Sequence, residues 1–362
     1  MKYKKIVVKI GTSVLAKKTG EIDSASLERI ACGVACIMQK GARVILVSSG
    51  AIGAGMSVLK LDKVPASLSD LQATAAIGQS QLMHLYSAAF KKYGYSVGQI
   101  LLTQEDFDHR RRYLNIKYTV DALLAKGAVP VVNENDTVST EEIKCGDNDR
   151  LSSLMADLWE ADALVMLTDV DGLYDEKGRV LPVVENISDS IKKLAGEKVL
   201  RLTKGGMVTK LASAERAVAA GIDCFIANGR AERILIDMLE SGKGTFTYFK
   251  SKKMKKKAKK RWIAYSSKIK GKIIVDDGAK KALVSGNKSL LASGITAKDG
   301  AFKAGDVIGI CDTQKKEFAR GLANYSSEEI GRIKGVKASR ISSILGYKDH
   351  DEVVRRDNLV IL

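Results

Sequence analysis

The chain has 362 residues, of which 45% are apolar and 28% charged, so it is long enough for two domains with buried cores. No apolar run approaches the roughly 18 residues that a membrane-spanning helix needs, and the start of the chain does not resemble a secretion signal. Five cysteines without CxxC or framework spacing, and only three histidines, argue against a disulfide-stapled protein and a transition-metal site. We therefore predict no metal ligands and expect a cytoplasmic protein.

The formal net charge of +17 is unevenly distributed along the chain. Residues 250–261 contain nine basic residues and no acidic one, whereas residues 1–249 are almost balanced in charge. A solvated linker is the simplest interpretation of this run, and contact with a polyanion is the alternative. Short β-like runs and glycine-rich turns follow it. We predict a main domain over residues 1–249, a basic linker over 250–266 and a small β-rich domain over 267–362.

The first predicted strand, residues 6–10, has Lys9 near its end and is followed by a small turn that begins at Gly11. An ammonium group beside backbone N–H groups suits a bound phosphate. The lysine precedes the glycine, so this turn is not the GxxxxGK[ST] phosphate loop.

A helix capped by Asp23 or Ser24 is predicted to end near Gly41, and a buried strand follows at residues 43–47. The small-residue run SSGAIGAG, residues 48–55, leads from this strand into another helix. Such a turn is typical of an anion site at a helix start, although close helix–strand packing would also favour glycines. It is not GxGxxG, which argues against a nicotinamide-binding domain.

A long helix is predicted over residues 66–92, then a strand over 97–102. Residues 103–112 are charged and are predicted to be irregular, as a surface lid or an oligomer contact. Another helix over 113–126 leads to a buried strand over 128–132.

Two polar blocks, NEND at residues 133–136 and GDND at 146–149, follow that strand. The first comes directly after a predicted strand. The second opens a predicted helix, residues 150–160, for which Asn148 or Asp149 would be the N-cap. Ligands of α/β proteins bind where strand ends and helix starts meet. The two blocks therefore predict a binding site, closed by the loop 137–145.

The remaining elements of the main domain continue the alternation of strands and helices. A strand over 161–167 ends in TDVDGLYD, and a glycine pair within TKGGMVTK, residues 203–210, precedes a helix over 211–220. A strand over 223–227 and a helix over 232–239 complete it. This alternation predicts an α/β fold with a mostly parallel sheet sandwiched by helices.

Taken together, these loops resemble those of the amino acid kinase family. The motifs occur in the family's order: VVKIGTSVL (7–15), VSSGAIGAG (47–55), VVNENDTV (131–138), IKCGDNDRLS (143–152), LTDVDGLYD (167–175) and GGMVTK (205–210). Residues 267–347 resemble a PUA domain, which is known from RNA-modifying enzymes. NEND followed by GDND, with a PUA-like tail, is typical of the branch of the family that phosphorylates glutamate.

The resemblance implies a role for each motif residue. The catalytic residues would be Lys9 and Lys210, which contact the phosphates, and Asp149, which orients both lysines. Backbone N–H groups near Gly11, Gly50 and Gly206 would cradle phosphoryl oxygens. The glutamate site would consist of Ser49, Asn133, Asp136, Asp147 and Asn148. The nucleotide site would consist of Lys9, Gly11, Thr168, Asp169, Lys204, Gly205, Gly206, Met207 and Lys210.

The implied reaction is transfer of a phosphoryl group from ATP to the side-chain carboxylate of L-glutamate, the first step of proline biosynthesis. Mg²⁺ would bridge the phosphates, held largely by them and by water. The resemblance also implies feedback inhibition by proline, hand-off of the product to glutamyl phosphate reductase, and a homodimer or homotetramer. A free carboxylate is already ionised near neutral pH, with a pKa of about 4.3, so this chemistry needs no general base.

Three points stay open. Lys204 stands where the family commonly has a small residue such as Thr, and it would either point to solvent or contact a nucleotide phosphate. The acceptor could instead be acetylglutamate or aspartate. A protein that binds or modifies RNA through the basic linker and the PUA-like domain is the alternative from another class, although the main domain shows no basic stripe with interleaved aromatic residues.

Overall fold

The structure is a computed structural model that describes residues 1–16, 22–139, 148–196, 206–251, 263–264, 269–286 and 288–362. The chain divides into two compact units, Met1–Lys255 and Lys256–Leu362. The predicted boundaries at residues 249 and 266 stay a prediction, since most of the basic linker lies outside the described residues. Within the described ranges, no helix is long and apolar enough to cross a membrane.

An eight-stranded sheet forms the centre of the first unit, in the order β3-β4-β2-β1-β5-β7-β8-β6. The first six strands of this order are parallel, and β8, which pairs antiparallel with β7, runs parallel to β6. The mostly parallel sheet predicted from the sequence is thus confirmed. The strands are β1 (Lys5–Ile10), β2 (Arg43–Ser48), β3 (Val97–Leu102), β4 (Val129–Glu134), β5 (Ala163–Thr168), β6 (Val183–Val184), β7 (Asp223–Asn228) and β8 (Phe246–Phe249).

Two long helices of this unit begin at capping signals that the sequence offers. Asp23 accepts a hydrogen bond from the backbone N–H of Ala25, and Ser67 accepts one from that of Asp70. The helices are α1 (Thr12–Leu15), α2 (Ser24–Gln39), α3 (Ala51–Leu59), α4 (Leu68–Lys91), α5 (Gln104–Asp108), α6 (Arg110–Ala125), α7 (Asn148–Trp159), α8 (Asp189–Gly196), α9 (Met207–Ala219) and α10 (Ile234–Ser241).

The central strands β1 and β5 position the functional side chains. Every residue of β5 is buried, because helices cover the sheet on both faces. In the register of the sheet, Lys9 of β1 lies beside Val47 of β2 and Met166 of β5. The chain leaves β1 towards β2 and leaves β5 towards β7, so the strand order diverges between β1 and β5. Their carboxyl ends therefore border the crevice where open α/β sheets bind ligands.

Three details of the predicted elements were wrong. Residues 103–112 are largely helical, because Thr103 and Asp106 form a capping box at the start of α5 and α6 begins at Arg110. Strand β4 continues through Glu134, so the first two residues of NEND are part of the strand. Helix α7 begins at Asn148, which places Asn148 and Asp149 inside its first turn and not at its N-cap.

The second unit is β-rich, as predicted, and has its own buried core. A five-stranded sheet has the order β11-β9-β12-β13-β15, and β10 pairs with β14. The strands are β9 (Gly271–Val275), β10 (Leu290–Leu291), β11 (Ile295–Gly300), β12 (Val307–Cys311), β13 (Glu317–Leu322), β14 (Glu352–Val354) and β15 (Leu359–Ile361). Its helices are α11 (Asp277–Val284), α12 (Ser327–Ile333) and α13 (Ile341–Leu345).

Candidate active site

The structure brings together two lysines and one aspartate that are far apart in the sequence. Asp149, in the first turn of α7, lies with Oδ1 2.6 Å from Lys9 Nζ and with Oδ2 3.3 Å from Lys210 Nζ. All three residues are buried, with exposed fractions of 1% for Asp149, 5% for Lys9 and 9% for Lys210. One carboxylate between two ammonium groups leaves the cluster with a net positive charge, which suits an anionic ligand.

Burial and neighbouring charges shift the pKa values of Asp149 and Lys9 in this cluster. Burial opposes ionisation of Asp149, but the charges of Lys9 and Lys210 hold the pKa of its carboxyl below the usual value. For Lys9, burial is the largest influence and lowers the pKa of the ammonium, although the Asp149 carboxylate acts in the opposite direction. Thr209 adds a hydrogen bond of 2.8 Å from its Oγ1 to Asp149 Oδ2. Asp149 is thereby held as an ionised partner of both lysines.

Glycines precede the helices that begin around this cluster. Gly50 precedes α3 with φ +101°, a left-handed conformation that favours glycine, and Gly206 precedes α9. Neither helix start has a side-chain cap, so its first N–H groups face outward without a competing side chain. At Gly11, a Cβ would lie 3.2 Å from the carbonyl oxygen of Leu167, which is a tight contact, and 3.7 Å from Lys9 Nζ, so the glycine leaves space beside the lysine.

Asn148, the residue before Asp149, contacts a different set of groups. Its Nδ2 lies 2.9 Å from the carbonyl oxygen of Ser48, 2.9 Å from Ser49 Oγ and 3.0 Å from Asn133 Oδ1. The carboxyl ends of β2 and β4 and the start of α7 are therefore joined by one side-chain amide. Three of the predicted glutamate-binding residues thus meet at one amide, since Asn148 contacts both Ser49 and Asn133.

Asp136, two residues after the end of β4, lines a cleft of about 370 Å³ between α4, β3 and the end of β4. Burial raises the pKa of Asp136 to about 6. Neighbouring lining residues include Gln79, Glu134 and Asn135. The cleft therefore offers carboxylate and amide groups to a small polar ligand.

The structure describes only some of the residues that were predicted to bind the nucleotide. Thr168 ends β5 in a buried position and donates a hydrogen bond of 3.0 Å from Oγ1 to Asp169 Oδ1, at the edge of the sheet where Lys9 lies. Met207 is the first residue of α9. Three other predicted site residues, Asp147, Lys204 and Gly205, lie outside the described residues.

Sequence reasoning missed two residues of this site. Thr209 stands inside the quoted GGMVTK motif, so its contact with Asp149 could have been expected from its position beside Lys210. Gln79 accepts a hydrogen bond of 2.8 Å at Oε1 from Asn133 Nδ2. It lies in the middle of α4, where no local pattern distinguishes it from an ordinary helix residue.

Comparison with known proteins agrees with this architecture. The amino acid kinase family model matches residues 4–228, and the PUA domain model matches residues 271–345. The chain is 45% identical to the glutamate 5-kinase of Thermoanaerobacter sp. (strain X514), with 99% of this chain and 98% of that protein covered. It is 47% identical to the glutamate 5-kinase of Caldanaerobacter subterraneus subsp. tengcongensis, with 99% and 98% covered. It is 44% identical to that of Geobacter sulfurreducens, with 100% and 98% covered.

Among solved structures, the chain resembles carbamate kinase from Giardia lamblia bound to AMP-PNP, with a TM-score of 0.49 and 19% identity, covering 68% of this chain and 98% of that one. The sequence relatives carry the assignment. The chain belongs to the amino acid kinase family and, within it, to the glutamate 5-kinases, which confirms the resemblance seen in the motifs.

Proposed function

We propose that this chain transfers the γ-phosphoryl group of ATP to the side-chain carboxylate of L-glutamate, the first step of proline biosynthesis. One observation carries the proposal. Asn148 and Asp149 are consecutive residues, yet Asn148 contacts the groups expected to bind glutamate and Asp149 contacts the lysines expected to bind phosphate. The start of α7 would therefore hold acceptor and donor next to each other, which in-line transfer requires.

The attacking carboxylate is already ionised, so the reaction needs neutralisation of the carboxylate and phosphate charges and no general base. An oxygen of the ionised glutamate carboxylate attacks the γ-phosphorus, the bond from that phosphorus to the ADP oxygen breaks, and the products are γ-glutamyl phosphate and ADP. Lys9 and Lys210 would reduce the repulsion between the two anions and follow the charge of the moving phosphoryl group. Asp149 would keep the two ammonium groups together.

The described residues also fit a hydrated Mg²⁺ that accompanies ATP. No group of three or more His, Cys, Asp or Glu side chains in the described ranges could hold a metal ion, and Asp149 is already bonded to both lysines. A divalent cation would be held mainly by phosphate oxygens and water, with Asp169 as a nearby carboxylate, and would neutralise phosphate charge.

Substrate recognition is assigned by position in the site. Ser49, Asn133, Asp136 and Asn148 would bind glutamate, with the Asp136 carboxylate facing the α-ammonium group. Thr168 and Asp169, with Gly11, Gly206 and Met207, would border the nucleotide. The roles of Asp147, Lys204 and Gly205 stay predictions from the motifs.

The test is ADP release from Mg-ATP with L-glutamate, N-acetyl-L-glutamate and L-aspartate as acceptors, in the presence of hydroxylamine to trap an acyl phosphate. We expect hydroxamate with L-glutamate only, and its loss in Lys210→Ala. Hydroxamate from another acid would keep the phosphoryl-transfer site but contradict the assigned acceptor. Absence of turnover with all three acids would reject the proposed reaction.

The second unit supports an additional proposal, because the PUA match covers residues 271–345. We propose that it contributes an RNA contact together with the basic run at residues 250–261. Binding of a short RNA hairpin should weaken steeply with salt and disappear in a chain ending at residue 249, while transfer to glutamate persists. Binding without salt dependence would contradict this contact. Feedback inhibition by proline, hand-off to glutamyl phosphate reductase, a homo-oligomer and a cytoplasmic location stay predictions from the family.

A further inference from the structure

Three side-chain amides form a chain of hydrogen bonds that includes two of the residues proposed to bind glutamate. Asn148 Nδ2 donates to Asn133 Oδ1 over 3.0 Å, and Asn133 Nδ2 donates to Gln79 Oε1 over 2.8 Å. We call these residues, Gln79, Asn133 and Asn148, the amide relay. It runs from the start of α7 through the end of β4 to the middle of α4.

Backbone groups fix the direction of the amide relay. The carbonyl oxygen of Ser48 can only accept, so Asn148 must present its nitrogen to it. The backbone N–H of Glu134 can only donate, and it lies 2.9 Å from Asn133 Oδ1, so Asn133 must present its oxygen there. Asn133 then turns its nitrogen towards Gln79, which must answer with its oxygen. The orientation of all three amides follows from these two backbone contacts.

The fixed direction leaves a hydrogen-bond donor at the far end. Gln79 is 8% exposed, and its Nε2 is buried without a hydrogen-bond partner among the described residues. A buried donor without a partner is destabilising, so its presence calls for a ligand that accepts its hydrogen bond. Gln79 also lines the cleft that contains Asp136.

The other groups of the cleft explain why a donor is needed there. Asp136 and Glu134 both line it, and the described lining residues include no lysine or arginine. The Asp136 carboxylate suits an ammonium group but would repel an anion. An amino acid brings both, and a neutral donor on a described lining residue would suit its carboxylate.

The position of Gln79 indicates which carboxylate it would meet. Asn148 adjoins Asp149 and the lysines, where the reacting carboxylate must lie, whereas Gln79 is two amides farther along the relay. We propose that Gln79 Nε2 donates a hydrogen bond to the α-carboxylate of the substrate and thereby selects acids that carry a second carboxylate at this distance. This inference rests on the proposed function and adds a specificity residue to it.

The sharpest variant is Gln79→Glu. The new side chain has nearly the same shape as that of Gln79 and still offers Asn133 an acceptor, but a negatively charged oxygen replaces the Nε2 donor. The acceptors to compare are L-glutamate and L-isoglutamine, which keeps the α-ammonium group and the reacting carboxylate but has an amide in place of the α-carboxylate. The control is Gln81→Glu, since Gln81 is exposed on the same helix and does not line the cleft.

We expect Gln79→Glu to lower kcat/KM for L-glutamate by at least about tenfold, because a donor to a charged group becomes a repelling oxygen. Isoglutamine can donate to the new carboxylate, so the preference for L-glutamate over L-isoglutamine should fall on the order of 100-fold. The KM for ATP and the Tm should stay as in Gln81→Glu. If isoglutamine turnover is too slow to follow, its inhibition constant against L-glutamate replaces kcat/KM in the comparison.

An unchanged preference in Gln79→Glu would overturn the inference, because a residue that only holds Asn133 in place is preserved by this variant. Equal losses with both acceptors would overturn it as well. These outcomes differ from failure of the proposed function, in which the unaltered protein would not phosphorylate L-glutamate at all.

Discussion

The two sides of the start of α7 use different chemistry to hold their groups in place. On one side, Asp149 bridges two buried ammonium groups at 2.6 and 3.3 Å. On the other side, Asn148 contacts uncharged acceptors at 2.9 to 3.0 Å. The side with the lysines is held together by charge. The side with the amides, which we call the directional side, is held together by hydrogen bonds whose donors and acceptors are fixed.

This difference matches what each substrate demands. A phosphoryl group in transfer carries charge spread over several oxygens, and compact ammonium groups stabilise it from many directions. An amino acid must instead be distinguished from similar acids, and hydrogen bonds with fixed donors and acceptors give that discrimination. Under the proposed function, the start of α7 would thus separate stabilisation of the charge on the phosphoryl group from recognition of the amino acid.

The largest expected effect comes from removing a charge. Lys210→Met keeps the length of the side chain but leaves the moving phosphoryl group with one ammonium fewer. We expect kcat to fall on the order of 100- to 1000-fold at saturating ATP and glutamate. The measurement is steady-state ADP release, with the exposed Lys243→Met as control. A change confined to KM would show that Lys210 only helps to bind the substrates.

The next effect tests the directional side. Asn148→Asp preserves the shape of residue 148 but removes the amide donor that faces the carbonyl oxygen of Ser48 and Asn133 Oδ1. Unsatisfied acceptors cost about 1–3 kcal/mol, so we expect KM for glutamate to rise on the order of 10- to 100-fold, with KM for ATP nearly constant. The control is Asn186→Asp, at an exposed position. A rise in both KM values would mean that the two sides are not separable.

A third prediction concerns pH. Burial raises the pKa of Asp136 to about 6, and only the ionised carboxylate attracts the α-ammonium group. Protonation below pH 6 should therefore lower kcat/KM for glutamate by about tenfold per pH unit, with a plateau above it. In Asp136→Asn, the activity should be low and this pH dependence should vanish. A profile that is unchanged in the variant would assign the titration to another group.

The sequence predicted the supporting elements because burial makes them regular. The five apolar runs that correspond to β1, β2, β3, β4 and β5 are all within two residues of the observed strands. Four of these strands are buried almost throughout, as strands covered on both faces are, whereas β3 lies at the edge of the sheet and is only partly buried. Lysines and polar blocks at the ends of such runs are expected to share one edge of the sheet. Lys9, Asp149 and Lys210 do meet there, as the motifs imply.

Two features were missed for different reasons. One is a helix start hidden by a charged composition, and the other is a contact between residues far apart in the sequence. The charged stretch after β3 has the composition of an irregular loop, although Thr103 and Asp106 carry the spacing of a capping box. Gln79 lies 54 residues before its partner Asn133, so the amide relay depends on the packing of α4 against β4. Periodicity identifies which side of a helix is buried but not which polar group it meets there.

The smallest expected effect comes from removing the hydroxyl group of Tyr86. Tyr86 is fully buried, and its hydroxyl is 2.8 Å from Ser48 Oγ, which in turn donates to the carbonyl oxygen of Ser49. Either hydroxyl can be the donor between the two. In Tyr86→Phe, Ser48 keeps its contact with the carbonyl oxygen of Ser49 and loses only the hydrogen bond to Tyr86.

We therefore expect a loss of about 1 kcal/mol in the free energy of unfolding, measured by denaturant titration against the exposed Tyr118→Phe. The kcat/KM for glutamate should change by no more than about threefold, since a hydrogen bond of that strength acts on Ser49 only through its neighbour. A rise of more than about tenfold in KM for glutamate, with ATP unaffected, would extend the directional side of the site down to Tyr86. The recognition of glutamate would then depend on the packing of α4 as much as on the residues that touch the substrate.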